Sequence, residues 1–332
     1  MSIITVRNLS RVFKKANRGE GLTGMIKTLF SRKYEELKAV DNISFNIEQG
    51  EIVGYIGANG AGKSTTIKMM CGILHPTSGE LIVDGKTFKN SRKEINKQIG
   101  VVFGQKTQLW WDIPLIETFK ILKSIYEISD EDYNERFSYL CELLDLNQFL
   151  DQNVRSLSLG QRMRADFAAA LIHSPKIVYL DEPTIGLDVL VKDKIRKAIK
   201  ELNKKYNITV ILTTHDMKDI EELCNRIIII DKGQILYDGS LHDIKYKFGN
   251  TKTILIPKNT NINIEEFNNL YKGVVVEATD ENILLKFSLN EYELDDILLH
   301  LINDYHIKDF KIEDISIEDI TKKLYEKNEE II

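Results

Sequence analysis

Nine residues constrain this chain more than any others. GANGAGKST at 57–65 follows the apolar run EIVGYIG and precedes the helical pattern TTIKMMCGIL, so it fits G-x-x-x-x-G-K-[ST] in the strand–loop–helix setting that the pattern needs. Gly57, Gly60 and Gly62, with Asn59 and Ala61 between them, permit a tight turn that points successive backbone N–H groups inward, and the helix that follows adds its positive end. A polyphosphate is the guest such a loop suits. In this pattern Lys63 reaches the β- and γ-phosphates, Ser64 holds Mg2+ and Thr65 bonds the α-phosphate.

The expected partner of that loop is KIVYLDEP at 176–183, an apolar run ending in two adjacent acids. A buried strand would place Asp181 at its carboxyl end, opposite Ser64 as a metal group acting through water, and set Glu182 beside the γ-phosphate as a base. Composition excludes other classes. With 332 residues, 45 Lys+Arg and 50 Asp+Glu, the formal charge is −5, which lacks the basic field of a whole-surface nucleic-acid binder. The longest apolar runs, IIII at 227–230 and AAALI at 168–172, fall far short of the ~20 residues that cross a bilayer. MSIITVRNLSRVFKK has no long apolar stretch or small-residue cleavage site, so a cytosolic protein is expected. Cys71, Cys141 and Cys224 match no metal spacing and read as buried, reduced thiols.

From 1 to about 245 short β-branched runs alternate with helical patterns, which predicts an α/β layer architecture around a mostly buried sheet. A helical insertion is expected at about 106–172. Beyond Gly249 the character changes to strand-helix-strand-strand-helix-strand with a closing helix, which predicts a small α+β domain of ferredoxin-like order over 250–332. Residues 14–38 are locally basic, and Met25, Ile26, Leu29 and Phe30 fall at helical spacing within them. Two readings of that segment stand side by side: a solvated loop with one packed turn, and a short amphipathic helix that meets a membrane surface or a membrane partner.

The remaining motifs occur in an order that resembles the nucleotide-binding subunit of ABC transporters over roughly residues 1–245. VVFGQ ending at Gln105 is similar to that family's Q-loop, RSLSLGQRMR at 155–164 to its signature, IGLD at 185–188 to its D-loop, and ILTTHD with His215 to its switch histidine. The resemblance implies a P-loop NTPase fold of ABC type that binds ATP and Mg2+, with Gln105 joining Ser64 and Asp181 at the metal. It implies that Ser158, Gly160 and Gln161 face the γ-phosphate held by a second copy, with Asp188 between the copies. Phe13 occupies the place where family members stack adenine, with Tyr34 as its competitor. Leu159 departs from the pattern, standing where the family carries the first of two glycines. QKTQLWWDIP at 105–114, together with LSLGQRMRADFAAALIHSP, brings the resemblance nearest to the daunorubicin-resistance-type exporter subgroup.

What the resemblance implies is an ATPase subunit of a homodimer that powers a separate membrane permease at the cytoplasmic face of the cell membrane, exporting its substrate and binding no nucleic acid. Glu182, His215, Gln105 and Lys63 are its candidate catalytic groups. An importer ATPase with a ligand-sensing tail and a non-transport member are the alternatives; relatives of the latter kind carry two cassettes or long heptad arms, and this chain shows neither. Trp110 and Trp111 are expected either to meet the permease or to pack the helical insertion. His75, His173, His242, His300 and His306 have no triad or metal spacing and are expected in surface or capping roles.

Overall fold

The computed structural model describes residues 2–16, 34–104, 106–260 and 262–329. The chain divides into two compact units, Met1–Gly239 and Ser240–Ile332. In the first, β3 (Ile52–Gly57), β5 (Ile99–Phe103), β6 (Ile177–Asp181), β7 (Thr209–Thr213), β8 (Arg226–Asp231) and β9 (Gln234–Ser240) form one sheet in the order β5-β6-β7-β3-β8-β9. Four of its five pairings, β5–β6, β6–β7, β7–β3 and β3–β8, are parallel. Runs such as IVYLD and TVILT are buried on both faces, as a parallel sheet covered on each side requires.

A second, antiparallel sheet is made by β1 (Ser2–Ala16), β2 (Tyr34–Glu48) and β4 (Ser78–Val83), with β1 central. Its inward residues, among them Ile4, Leu9, Ile43 and Phe45, share one core with Tyr55 and Tyr179 of the parallel layer and with Ile67 of the helix that follows β3. The ends of the basic segment belong to this hairpin. Lys14 stands opposite Glu36 in register, with Nζ 4.0 Å from Oε1, and opposite charges across strands favour extension. Residues 17–33, which hold the proposed helical turn at Met25–Phe30, lie outside the described residues.

Helices α1 (Lys63–Met70), α2 (Phe88–Asn96), α3 (Leu115–Tyr126), α4 (Asp130–Leu143), α5 (Leu159–Leu171), α6 (Val189–Tyr206) and α7 (Met217–Leu223) complete this unit. The insertion expected at 106–172 is α3, α4 and α5, joined by a short 3-10 turn at Val154–Ser156. His173, expected at the surface, is a correction. It stacks on Tyr126 with centroids 3.9 Å apart, its Nε2 lies 3.0 Å from the Ile99 carbonyl, and burial pushes its pKa down to about 4. A flat ring in an aromatic contact gains more from burial than from charge at neutral pH.

The second unit opens with α8 (Leu241–Phe248), so the division falls before the 245–250 expected from composition. It continues as β10 (Thr251–Pro257), α9 (Ile264–Leu270), β11 (Val275–Ala278), β12 (Asn282–Ser288), α10 (Leu294–Asn303), β13 (Lys311–Asp314) and α11 (Ile317–Glu329). The strands form an antiparallel sheet in the order β11-β12-β10-β13. β12 alternates buried and half-buried residues, and Ile254, Ile283, Leu285 and Phe287 pack with Phe267, Ile297 and Leu301 of α9 and α10. His300 is likewise drawn inward, its Nδ1 3.0 Å from the Tyr271 hydroxyl.

Because each unit closes its own core, a chain ending at Gly239 is expected to fold and to bind ATP with a Kd within about threefold of the full chain. Calorimetric titration checks this. A truncated chain that is folded by circular dichroism yet binds no nucleotide contradicts the division.

Candidate nucleotide site

The site grows from the carboxyl ends of β3, β6 and β7, which lie side by side in the sheet, where open parallel sheets hold their ligands. After β3 the backbone turns so tightly that a Cβ on Gly57 would stand 2.4 Å from the Ile230 carbonyl oxygen, and one on Gly62 2.4 Å from that of Ala39. Gly62 has φ +110 and is the N-cap of α1. No side chain caps α1 and its first turn carries no acid, whereas Ser129, Ser158, Asp188 and Ser240 each cap their own helices. A glycine at the N-cap costs only a few tenths of a kcal/mol relative to a capping side chain, and the bare N–H groups it leaves suit an anion.

Lys63 is buried, and its Nζ donates to the carbonyls of Gly57 at 2.6 Å and Ala58 at 3.1 Å. Burial lowers its pKa, opposed by Glu182 and Asp181. Ser64 Oγ donates to Asp181 Oδ1 at 3.4 Å, and Thr213 Oγ1 donates to the same oxygen at 2.6 Å. Glu182 has φ +56, a conformation costing about 1–3 kcal/mol for a side-chain-bearing residue. Its N–H donates to the Thr213 carbonyl at 2.9 Å, which helps hold it there. Its Oε1 lies 3.1 Å from His215 Nε2 but is buried without an aligned hydrogen bond, and its Oε2 accepts from the His215 N–H at 3.3 Å. Burial raises the Glu182 pKa, tempered by His215 and Lys63.

These groups share one cleft, lined by Asn59, Gly60, Lys63, Ser64, Glu182 and His215 among others. A Cβ on Gly60 would meet nothing within 4 Å, so the loop's rim is open. Ser64 Oγ and Asp181 Oδ1 are hard oxygen donors of the kind Mg2+ prefers. Among the described residues no group of three or more His, Cys, Asp or Glu could hold a metal by itself.

Ser158, Gly160, Gln161 and Asp188 are not part of that lining. Ser158 caps α5 in a reciprocal pair: its Oγ accepts from the Gln161 N–H at 3.2 Å and its own N–H donates to Gln161 Oε1 at 2.8 Å. The hydroxyl proton of Ser158 remains free to be donated outward. Leu159 opens α5 without a left-handed backbone, and its Cδ2 would be 3.2 Å from a Cβ on Gly186. Asp188 caps α6 by accepting from the Val191 N–H at 2.9 Å. Phe13 lies on β1 opposite Leu37, with the Arg11 guanidinium 4.7 Å from its ring centroid. Gln105 and the side chain of Tyr34 lie outside the described residues.

Sequence reasoning missed what holds the loops. Gly104 runs so close to Glu182 that a Cβ there would stand 2.0 Å from its carbonyl oxygen. Asp219, fully buried on α7, accepts from Thr184 Oγ1 at 2.6 Å, Thr214 Oγ1 at 3.1 Å and Arg196 Nε at 2.6 Å. Thr184 is two residues past Glu182 and Thr214 precedes His215, so one carboxylate fixes both loops.

The sequence profile of the family described as ABC transporter matches residues 40–185. The ABC transporter ATP-binding protein NatA of Bacillus subtilis is 33% identical over 215 residues, 65% of this chain and 87% of its own length. The methionine import ATP-binding protein MetN of Haemophilus influenzae is 36% identical over 234 residues, 69% of this chain and 67% of its own. Among solved structures, a dimeric ATP-binding cassette in a post-hydrolysis state bound to ADP and Pi superposes with a TM-score of 0.61 at 28% identity, covering 72% of this chain and 98% of that one.

Removing the Asp219 carboxylate strands two buried hydroxyls and loosens Arg196, so Asp219→Ala is expected to cost about 3 kcal/mol of stability or more. Urea unfolding at fixed pH measures it. A loss within experimental error of zero contradicts the assigned network.

Proposed function

This chain belongs to the ABC transporter ATP-binding proteins and hydrolyses ATP, and on that premise we propose that two copies close on two nucleotides and drive a separate membrane permease in the direction of export. The observation that carries the closing step is the division of the site. The phosphate loop, Glu182 and His215 share a cleft, while Ser158, Gly160 and Gln161 lie outside its lining. A signature built on an exposed helix N-terminus then has its target on another chain.

In this reading Lys63 and the uncapped start of α1 hold the phosphates, and Thr65 bonds the α-phosphate. Ser64, Asp181 and Gln105 hold Mg2+, whose role when bound is to neutralise charge on the transferring phosphoryl group. Glu182, with one buried oxygen free of hydrogen bonds, orients and deprotonates the attacking water. His215 sits against Glu182 and faces the same cleft, where its ring stabilises developing charge on the γ-phosphate. Phe13 stacks adenine on the face that Arg11 leaves uncovered. Asp188, at the end of the IGLD turn, meets the second copy.

No helix among the described residues is long and apolar enough to cross a membrane; in this reading the subunit sits at the cytoplasmic face through its contact with the permease. Trp110 and Trp111 are 40% and 50% exposed, more than core packing of the insertion calls for, and they give the permease two apolar anchors. Export rests on the likeness of 105–114 and 157–175 to the daunorubicin-type subgroup. The tail's βαββαβ order and strand arrangement support a ferredoxin-like accessory domain that shapes dimerisation or regulation.

Glu182→Gln keeps shape and polarity but removes the base, so ATP should still bind while kcat falls by roughly 10²–10⁴-fold and an ATP-bound dimer accumulates. Phosphate release and size-exclusion chromatography with ATP read both. In the unsubstituted chain the raised Glu182 pKa places the acid limb above the ordinary glutamate range, so turnover is lost as pH falls through that higher value. Near-normal hydrolysis by Glu182→Gln, or an acid limb within the ordinary range, sinks the assignment.

A further inference from the structure

One buried carboxylate of the first unit has no part in the site described so far. Asp166 sits in the middle of α5, 5% exposed, between Ala165 and Phe167, which are buried at 0% and 1%. Its partners all come from one short segment. Thr107 Oγ1 donates to its Oδ1 at 2.9 Å and the Gln108 N–H donates to the same oxygen at 3.0 Å. Gln108 Nε2 donates to the Asp166 backbone carbonyl at 3.1 Å, and the Leu109 N–H donates to Thr107 Oγ1 at 3.1 Å. A carboxylate is costly to bury without such donors, and that cost shows in its acidity, pushed up by burial to about 6.

The same helix grips the segment again one turn earlier. Arg162, four residues before Asp166 and on the same face, holds its guanidinium 5.4 Å from the Trp111 ring centroid. The Arg155 N–H donates to the Trp111 carbonyl at 3.0 Å. The segment thus leaves Gln105 and is tied at once to the helix whose first turn holds Ser158 and Gly160.

We propose that Asp166 is a positioning residue that latches residues 106–109 onto α5, so that the segment directly after Gln105 and the helix bearing the signature move as one piece. The consequence for hydrolysis rests on the reading of Gln105 as a site residue. The latch itself rests only on the hydrogen bonds.

The test uses the full chain. In Asp166→Ala the Gln108 and Leu109 amides are expected to exchange with solvent at least ~10-fold faster, kcat to fall about 10-fold, and the KM for ATP to stay within about twofold. Asp166→Asn keeps an acceptor oxygen and is expected to stay close to the unsubstituted chain in all three. Thr107→Val should reproduce the faster exchange at Leu109 and add little when combined with Asp166→Ala, since both break one relay. Unchanged exchange in Asp166→Ala, additive losses in the double variant, or an equal loss of kcat in Asp166→Asn overturns the latch. Gln105→Ala, assayed in parallel, separates the two levels. Full turnover in that variant refutes the reading of Gln105, while the exchange of Gln108 and Leu109 continues to decide the latch.

Discussion

Everything at the site depends on how closely the main chain approaches itself between β3 and α1. An anion cradle made of backbone N–H groups needs a loop with no side chains on its inner wall, and here two glycines leave no room for one. A Cβ on Gly57 would run into the Ile230 carbonyl and one on Gly62 into that of Ala39, both at 2.4 Å. That contact is possible because β8 lies directly beside β3 in parallel register, Gly57 opposite Ile230. The parallel sheet therefore does more than bury apolar surface. It sets the wall against which the loop is pressed and brings the ends of β6 and β7 within reach of Lys63 and Ser64.

Charges buried around that loop bring a second constraint, since each must be met by a partner on another element. Lys63 lies against loop carbonyls, Asp181 is met by Ser64 and Thr213, and Asp219 gathers Thr184, Thr214 and Arg196. Hydrogen bonds to such groups gain strength from the low local dielectric, and the cost of breaking one rises equally. The result is a site whose loops are fixed by carboxylates outside the cleft. Asp166 does the same for the segment that follows Gln105.

The phosphate loop, the two acids at the end of the KIVYLDEP run and the order of the motifs were legible because their chemistry demands particular residues in unbroken runs. The parallel core was legible for a similar reason: IVYLD and RIIIID are apolar on both faces. What could not be read were contacts between distant positions. Thr107 and Asp166 are 59 residues apart and Thr184 and Asp219 are 35 apart, and nothing in either local pattern names the other. Nothing in the sequence around His173 goes beyond a surface or capping role, because a lone histidine carries no sign of the Tyr126 ring that stacks on it. Nor does VVFGQ show that the Glu182 carbonyl leaves no space for a Cβ on Gly104. Helix α8 reads in sequence as the end of the first unit and belongs to the second.

If each composite site takes its phosphate loop from one chain and its signature from the other, two inactive chains should rescue each other. Lys63→Ala removes the phosphate-holding cation and Gly160→Asp places a side chain and a negative charge at the start of α5, so each alone should be inactive. Mixed in equal amounts, half the dimers pair one of each, and such a dimer carries one intact site of its two. Recovery of about a quarter of the normal hydrolysis rate is the predicted result. No recovery on mixing, or full hydrolysis by Gly160→Asp alone, would contradict the account, because the site would then be complete within a single chain.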